Sequence, residues 1–208
     1  MNRVQKIMAV ASCLLALGGM SMGFASEALA KEGPLGSFEI NQEKMRYPSM
    51  LRMMGEITAI EDDKVIIQGE GQESVAALVN KDTYIIEGEQ GKLRMARALK
   101  VGQKVMVYYS ARMTRSLPPQ AQAYALVIGD VRKEFLPQYF VVDQVRLTGN
   151  KLAIRVLNTT QSVIATIDGN SCAEYASIKP GDKLLIWSTI MTMSLPGQTF
   201  AQKAVILP

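Results

Sequence analysis

The sequence has no histidine, one tryptophan and only two cysteines. Without imidazole the chain lacks the commonest general base at neutral pH and the commonest metal ligand. Carboxylate pairs and lysine-activated serines would still permit catalysis. Beyond residue 30, however, no G-x-S-x-G nucleophile motif occurs. The chain therefore reads as a non-enzyme without a cofactor, and an uncharacterised hydrolase ranks last among its functions. Charge of one sign is also missing. The formal net charge is +4 and no run of five like charges appears, so nothing suggests a nucleic acid or an anionic membrane as partner.

The first thirty residues, MNRVQKIMAVASCLLALGGMSMGFASEALA, explain the second cysteine. Arg3 and Lys6 precede an uncharged, largely apolar run at 7–25, and Ala28 and Ala30 give the small-x-small pattern of a signal-peptide cleavage site. A second such pattern ends at Ala25. A retained anchor is the alternative, because the run is long enough to cross a bilayer. Gly18, Gly19, Ser21 and Gly23 and the Ala-x-Ala ending favour cleavage before Lys31. The surroundings of Cys13 fail as a lipoprotein signal, because the apolar core continues past it. Export to the periplasm or cell surface follows, with no membrane span after cleavage. The remaining chain has 21 basic and 18 acidic residues. Cys172 is then its only cysteine, and no internal disulfide can form.

What the sequence does have is a repeat. MTRSLPPQ at 113–120 returns as MTMSLPGQ at 191–198. The match extends over 99–128 and 178–207, placing Gly102 on Gly181, Lys104 on Lys183, Val105 on Leu184 and Tyr108 on Trp187. Upstream, AIEDDKVIIQG at 59–69 echoes RLTGNKLAIRV at 146–156, and ALVNKDT at 77–83 echoes ATIDGNS at 165–171. Internal similarity at this scale implies a duplicated structural unit.

Within a unit the apolar residues alternate in β-rich segments. GKLRMARALK at 91–100 is the exception and predicts a helix, since Leu93, Ala96 and Leu99 stay near one face and its residues are good helix formers. Strand, strand, strand, short helix, strand, strand is the order of an oligonucleotide/oligosaccharide-binding (OB) barrel. The expected fold is all-β with one short helix: two tandem OB-like small β-barrels packed together after a cleaved signal peptide. The expected boundaries are 1–30 for the leader, 31–50 for an irregular segment, 51–130 for the first barrel, 131–138 for a packed connector and 139–208 for the second barrel. The second copy lacks about nine residues at the helix, so its barrel is either more open there or plugged by a single turn.

In this order each octet falls in the loop between the last two strands, a place where OB barrels commonly bind ligands. The scaffold reading has Thr114 and Ser116 bonding loop backbone, Leu117-Pro118 fixing the turn and Gln120 satisfying an orphan group. The functional reading turns Arg112, Thr114, Arg115, Ser116 and Gln120 to a ligand. Because Arg112 and Arg115 become Ile190 and Met193, an anion site would be confined to the first loop. The fourth strands, with Tyr108 and Trp187, are apolar on both faces. Either the sister copy covers the outer face, or these rings form an exposed platform for a sugar or peptide. Met45, Met50, Met53, Met54, Met191 and Met193 suit core filling better than Cu(I) binding. Cys172 aligns with Tyr84 and reads as a small buried hydrophobe. Glu61-Asp62-Asp63 reads as a solvated turn, and Lys100, Lys104, Lys179 and Lys183 as solvated charges at strand edges.

The pattern L-x-x-G-x-x-V-x-V-x-x-x-x-x-x-T-x-S-x-P-P-Q, as it stands at 99–120, resembles exported bacterial OB-like β-barrel domains of unknown function. The resemblance implies location and fold and carries no catalytic motif. The expected function is an exported cell-envelope binding or assembly module contacting an envelope glycan (polysaccharide) or peptide through barrel loops. A purely structural protein–protein subunit is the alternative, and a methionine-rich metal-handling protein comes after both.

Overall fold

A computed structural model describes residues 37–71, 73–129 and 136–208. The expected leader at 1–30 and residues 131–135 of the expected connector lie outside these. The segment before the first strand carries one short helix, α1 (Gln42–Arg46), where the Asn41 side chain accepts the Glu43 N–H at 2.9 Å. The first half then forms β1 (Met50–Ile60), β2 (Lys64–Gly69), β3 (Ser74–Leu78), β4 (Tyr84–Glu87), β5 (Lys92–Arg94), β6 (Lys104–Ser110) and β7 (Gln120–Ile128). The second half forms β8 (Gln138–Leu147), β9 (Ala153–Asn158), β10 (Val163–Asp168), β11 (Lys183–Trp187), β12 (Gly197–Phe200) and β13 (Lys203–Leu207).

Pairing follows the OB order in both halves. β1 lies between β2 and β6, β2 pairs with β3, β6 with β7, and a parallel β3–β7 ladder closes the ring. In the second half β8 lies between β9 and β11, β9 pairs with β10, and β10 runs parallel to β12. β12 and β13 together take the place of β7. The strand is interrupted where the Ala201 N–H donates to Thr166 and the Gln202 N–H to Trp187, so each part serves a different neighbour. Period-two alternation fills each interior. Ile57, Val65, Ile67, Val105 and Val107 meet inside the first ring, and Phe140, Val142, Val156, Leu184 and Ile186 inside the second.

The halves also agree in small details. Gly102 and Gly181 both have positive φ, 82° and 93°, the backbone region where glycine is favoured. Their N–H groups donate to Ile57 and Val142, each at 2.8 Å. β1 carries a bulge between Ile57 and Ala59, and β8 one between Val142 and Gln144. Asn80 and Asp168 make matching side-chain turns with Asp82 and Asn170, at 2.9 and 3.1 Å.

Two sequence expectations are corrected. Val65 pairs with Ile60 and Ala77, as Val156 pairs with Val145 and Ala165. Val65 therefore corresponds to Val156 and not to Leu152. The second copy has a longer first hairpin, and the similarity of DDK to GNK lies in non-equivalent turns. The stretch at 91–100 is not a helix. It forms β5, paired with β4, followed by a single 3-10 turn at Ala96–Ala98. Leu93 and Met95 are exposed, so no apolar helical face existed to bury. The second copy keeps only the turn, at Tyr175–Ser177.

The added β4–β5 hairpin has a use. Trp187 lies against Gly91 and donates its indole N–H to the Gly88 carbonyl at 3.0 Å, and Lys203 reaches the Gln90 carbonyl at 2.9 Å. Beside this clasp, Ile86, Tyr108, Ala125 and Val127 pack on Tyr139, Leu185 and Leu207. The outer face of β6 is thus covered by the sister barrel, which explains why that strand is apolar on both sides. Tyr139 and Phe140 are buried at the start of β8.

The N-terminal segment crosses to the second barrel. Phe38 lies beneath the Arg146 and Arg155 guanidinium groups, and Glu39 and Gln144 exchange hydrogen bonds. Asp143, the extra residue at the β8 bulge, receives the Lys44 ammonium at 2.9 Å and the Gln161 amide at 2.6 Å. Burial alone would raise its pKa, but the Gln161 amide and Lys44 outweigh burial and hold it below the ordinary carboxylate value. A lowered pKa stabilises the fold above the unfolded value and ceases to do so as pH falls through the folded one. Asp143→Asn is expected to melt a few degrees below wild type at pH 7, with the two curves converging as pH falls below the ordinary carboxylate range. Parallel curves throughout the acid range would contradict this.

Candidate functional site

The two octets fold into one shape twice. In the first, the Thr114 N–H donates to the Gln120 carbonyl at 3.0 Å, and the Gln120 N–H returns to Thr114 Oγ1 at 2.9 Å. Thr114 Oγ1 and Ser116 Oγ lie 2.7 Å apart, and Ser116 donates to the Pro118 carbonyl at 2.9 Å. The second repeats every bond. Thr192 and Gln198 pair at 2.9 and 2.8 Å, Thr192 Oγ1 and Ser194 Oγ lie 2.6 Å apart, and Ser194 reaches Pro196 at 2.8 Å. Leu117-Pro118 and Leu195-Pro196 are both cis.

This arrangement divides the seven candidate residues. Thr114 and Ser116 use their hydroxyls within the loop, and Gln120 contributes its backbone. Arg112 and Arg115 are exposed. Tyr108 is 3% exposed and donates to the Pro137 carbonyl at 2.8 Å, while Trp187 is half-buried against the β4–β5 hairpin. Burial raises the Tyr108 pKa above the ordinary phenol value. Tyr108 and Trp187 therefore belong to the contact between barrels and form no exposed aromatic platform.

The residues that sequence reading missed are the two leucines. Leu117 is 98% exposed and Leu195 84%. Each occupies the tip of a loop whose polar groups bond one another. The signal was available, since a leucine inside a turn between two strands has no barrel interior to enter. Met193 is also fully exposed, as are Ile190 and Phe200 in large part.

Two clefts open where the barrels meet, of about 530 and 300 Å³. Arg52, Tyr108 and Gln138 border both. The six clustered methionines separate between these places: Met53 and Met54 line the larger cleft, Met45, Met50 and Met191 line the smaller, and Met193 points to solvent. Among the described residues no group of three or more His, Cys, Asp or Glu is placed to hold a metal ion. Cys172 is half-buried in the turn after β10 and not in a strand, with its N–H donating to the Asp168 carbonyl at 3.0 Å. Among the described residues no helix is long and apolar enough to cross a membrane.

No family model matches the chain. A stretch of 94 residues is 33% identical to a protein of Brevibacillus choshinensis named as a protease inhibitor, covering 40% of this chain and 29% of that protein. The chain thus spans well under half the length of the relative it matches.

Proposed function

We propose that this is an exported binding protein that docks on protein partners through its two octet loops, and that proteases are the partner class. The repeated loop geometry carries the reading: two hydrogen-bonded loops each present one fully projecting leucine. Such a leucine gains nothing from folding, because it remains in water. Offered to a concave apolar pocket, it would gain about 1.5–3 kcal/mol from burial of its side chain. Internal hydrogen bonds fix the loop beforehand, so less conformational entropy is lost on docking. The similarity to a protein named as a protease inhibitor supports this partner class, and the leader at 1–30 supports export. The envelope-glycan alternative loses its aromatic platform to the contact between barrels.

The test is inhibition. The purified protein, titrated against chymotrypsin and subtilisin with a small chromogenic substrate, is expected to abolish hydrolysis of at least one of them at micromolar concentration or below. Undiminished hydrolysis by both enzymes at a large excess of the protein would refute the protease reading. Capture of an envelope protein without effect on hydrolysis would favour an assembly role instead.

A further inference from the structure

Resting on that reading, we propose that the two loops and the smaller cleft between the barrels form one composite surface, which holds a single partner molecule with an acidic rim beside an apolar pocket.

The placement of the loops carries the first part. Met191, the first residue of the second octet, lines the 300 Å³ cleft. Pro48, Met50 and Leu51 line the same cleft, and they adjoin the start of the first octet. Met50 and Leu51 pair with Ser110 and Tyr109, and the Ser49 carbonyl accepts the Ala111 N–H at 3.0 Å. Both loops therefore rise beside one opening. Methionine is suited to such a place, because its unbranched, polarisable side chain adapts to irregular partner surfaces. With apolar loop tips beside it, the cleft continues the exposed apolar surface, a feature associated with protein contact.

Charge carries the second part. The first loop adds exposed Arg112 and Arg115, and Arg52 borders the cleft. The second loop has Ile190 and Met193 at the corresponding positions, with Phe200 exposed where the first copy has Gln122 bonded inward to the Leu78 carbonyl. One side of the surface is thus basic and the other apolar. A partner that fits both sides must be acidic where it meets the first loop and concave and apolar where it meets the second.

The experiment measures stoichiometry and loop dependence together. Complexes with chymotrypsin and subtilisin are sized by light scattering, and affinities are measured for Leu117→Asp, Leu195→Asp and the paired Arg112→Glu/Arg115→Glu variant. All these positions are exposed, and circular dichroism is the check that each variant folds. The expected result is a 1:1 complex in which each leucine variant loses at least about tenfold in affinity. The arginine variant should bind more slowly and lose most of the salt dependence of association. Two proteases per chain, or a complex that depends on one loop alone, would overturn the composite surface while leaving protease binding intact. Absence of any complex would overturn both.

Discussion

Leu185→Asp is expected to lower the unfolding midpoint by about 10 °C or more. Leu185 is fully buried where β11 meets the first barrel, among Ile86, Tyr108 and Val127. An aspartate there would be an unpaired charge in an apolar contact, which costs roughly 4 kcal/mol or more when no partner can move in. The damage should concentrate between the barrels, because the interiors around Val107 and Ile186 do not contain this residue. Leu185→Ala provides the graded comparison, at about 2–5 kcal/mol for an unfilled cavity. Calorimetry decides the matter. A variant that melts like wild type would mean that the barrels do not depend on this contact.

The second large effect separates binding from stability. Thr114→Ala and Thr192→Ala, combined, remove the acceptor for the Gln120 and Gln198 N–H groups and the hydroxyl partner of Ser116 and Ser194. Each loop then keeps only its backbone pair and the bond from Ser116 to the Pro118 carbonyl or from Ser194 to the Pro196 carbonyl. Both loops are exposed, so each lost bond costs about 1 kcal/mol of stability and the midpoint falls by a few degrees. Affinity for a protease should fall much further, by about tenfold or more, because the ordering of each loop must then be met at binding. Thr→Ser at both positions keeps the hydroxyls and is expected to restore most of the affinity. Equal binding by the Ala and Ser variants would show that the hydroxyls contribute nothing to recognition.

The architecture was legible because period-two alternation and repeated glycines act locally. Along β6, Val105, Val107 and Tyr109 face the first interior, while Tyr108, on the alternate face, meets the sister barrel. Leu93 and Arg94 were misread because helix propensity and the spacing of Leu93, Ala96 and Leu99 pointed to a helix, whereas pairing with β4 decided their conformation. The first hairpin of the second copy was misaligned because turn residues resemble one another without occupying equivalent places. The candidate site was only half visible. Its polar residues stood out as chemistry, yet Thr114, Ser116, Thr192 and Ser194 bond mainly within their own loops. The leucines were read only through the turn that Leu117-Pro118 makes, although a leucine in a turn between two strands has no barrel interior to enter.

Hydrogen exchange of the protein alone and mixed with chymotrypsin or subtilisin, the proposed partner class, gives the most direct test of the central claim. The strongest new protection on binding is expected at backbone amides within 113–120 and 191–198, with little change along β2 and β9. Protection confined to other surfaces, with both octets exchanging as fast in the complex as before, would contradict it.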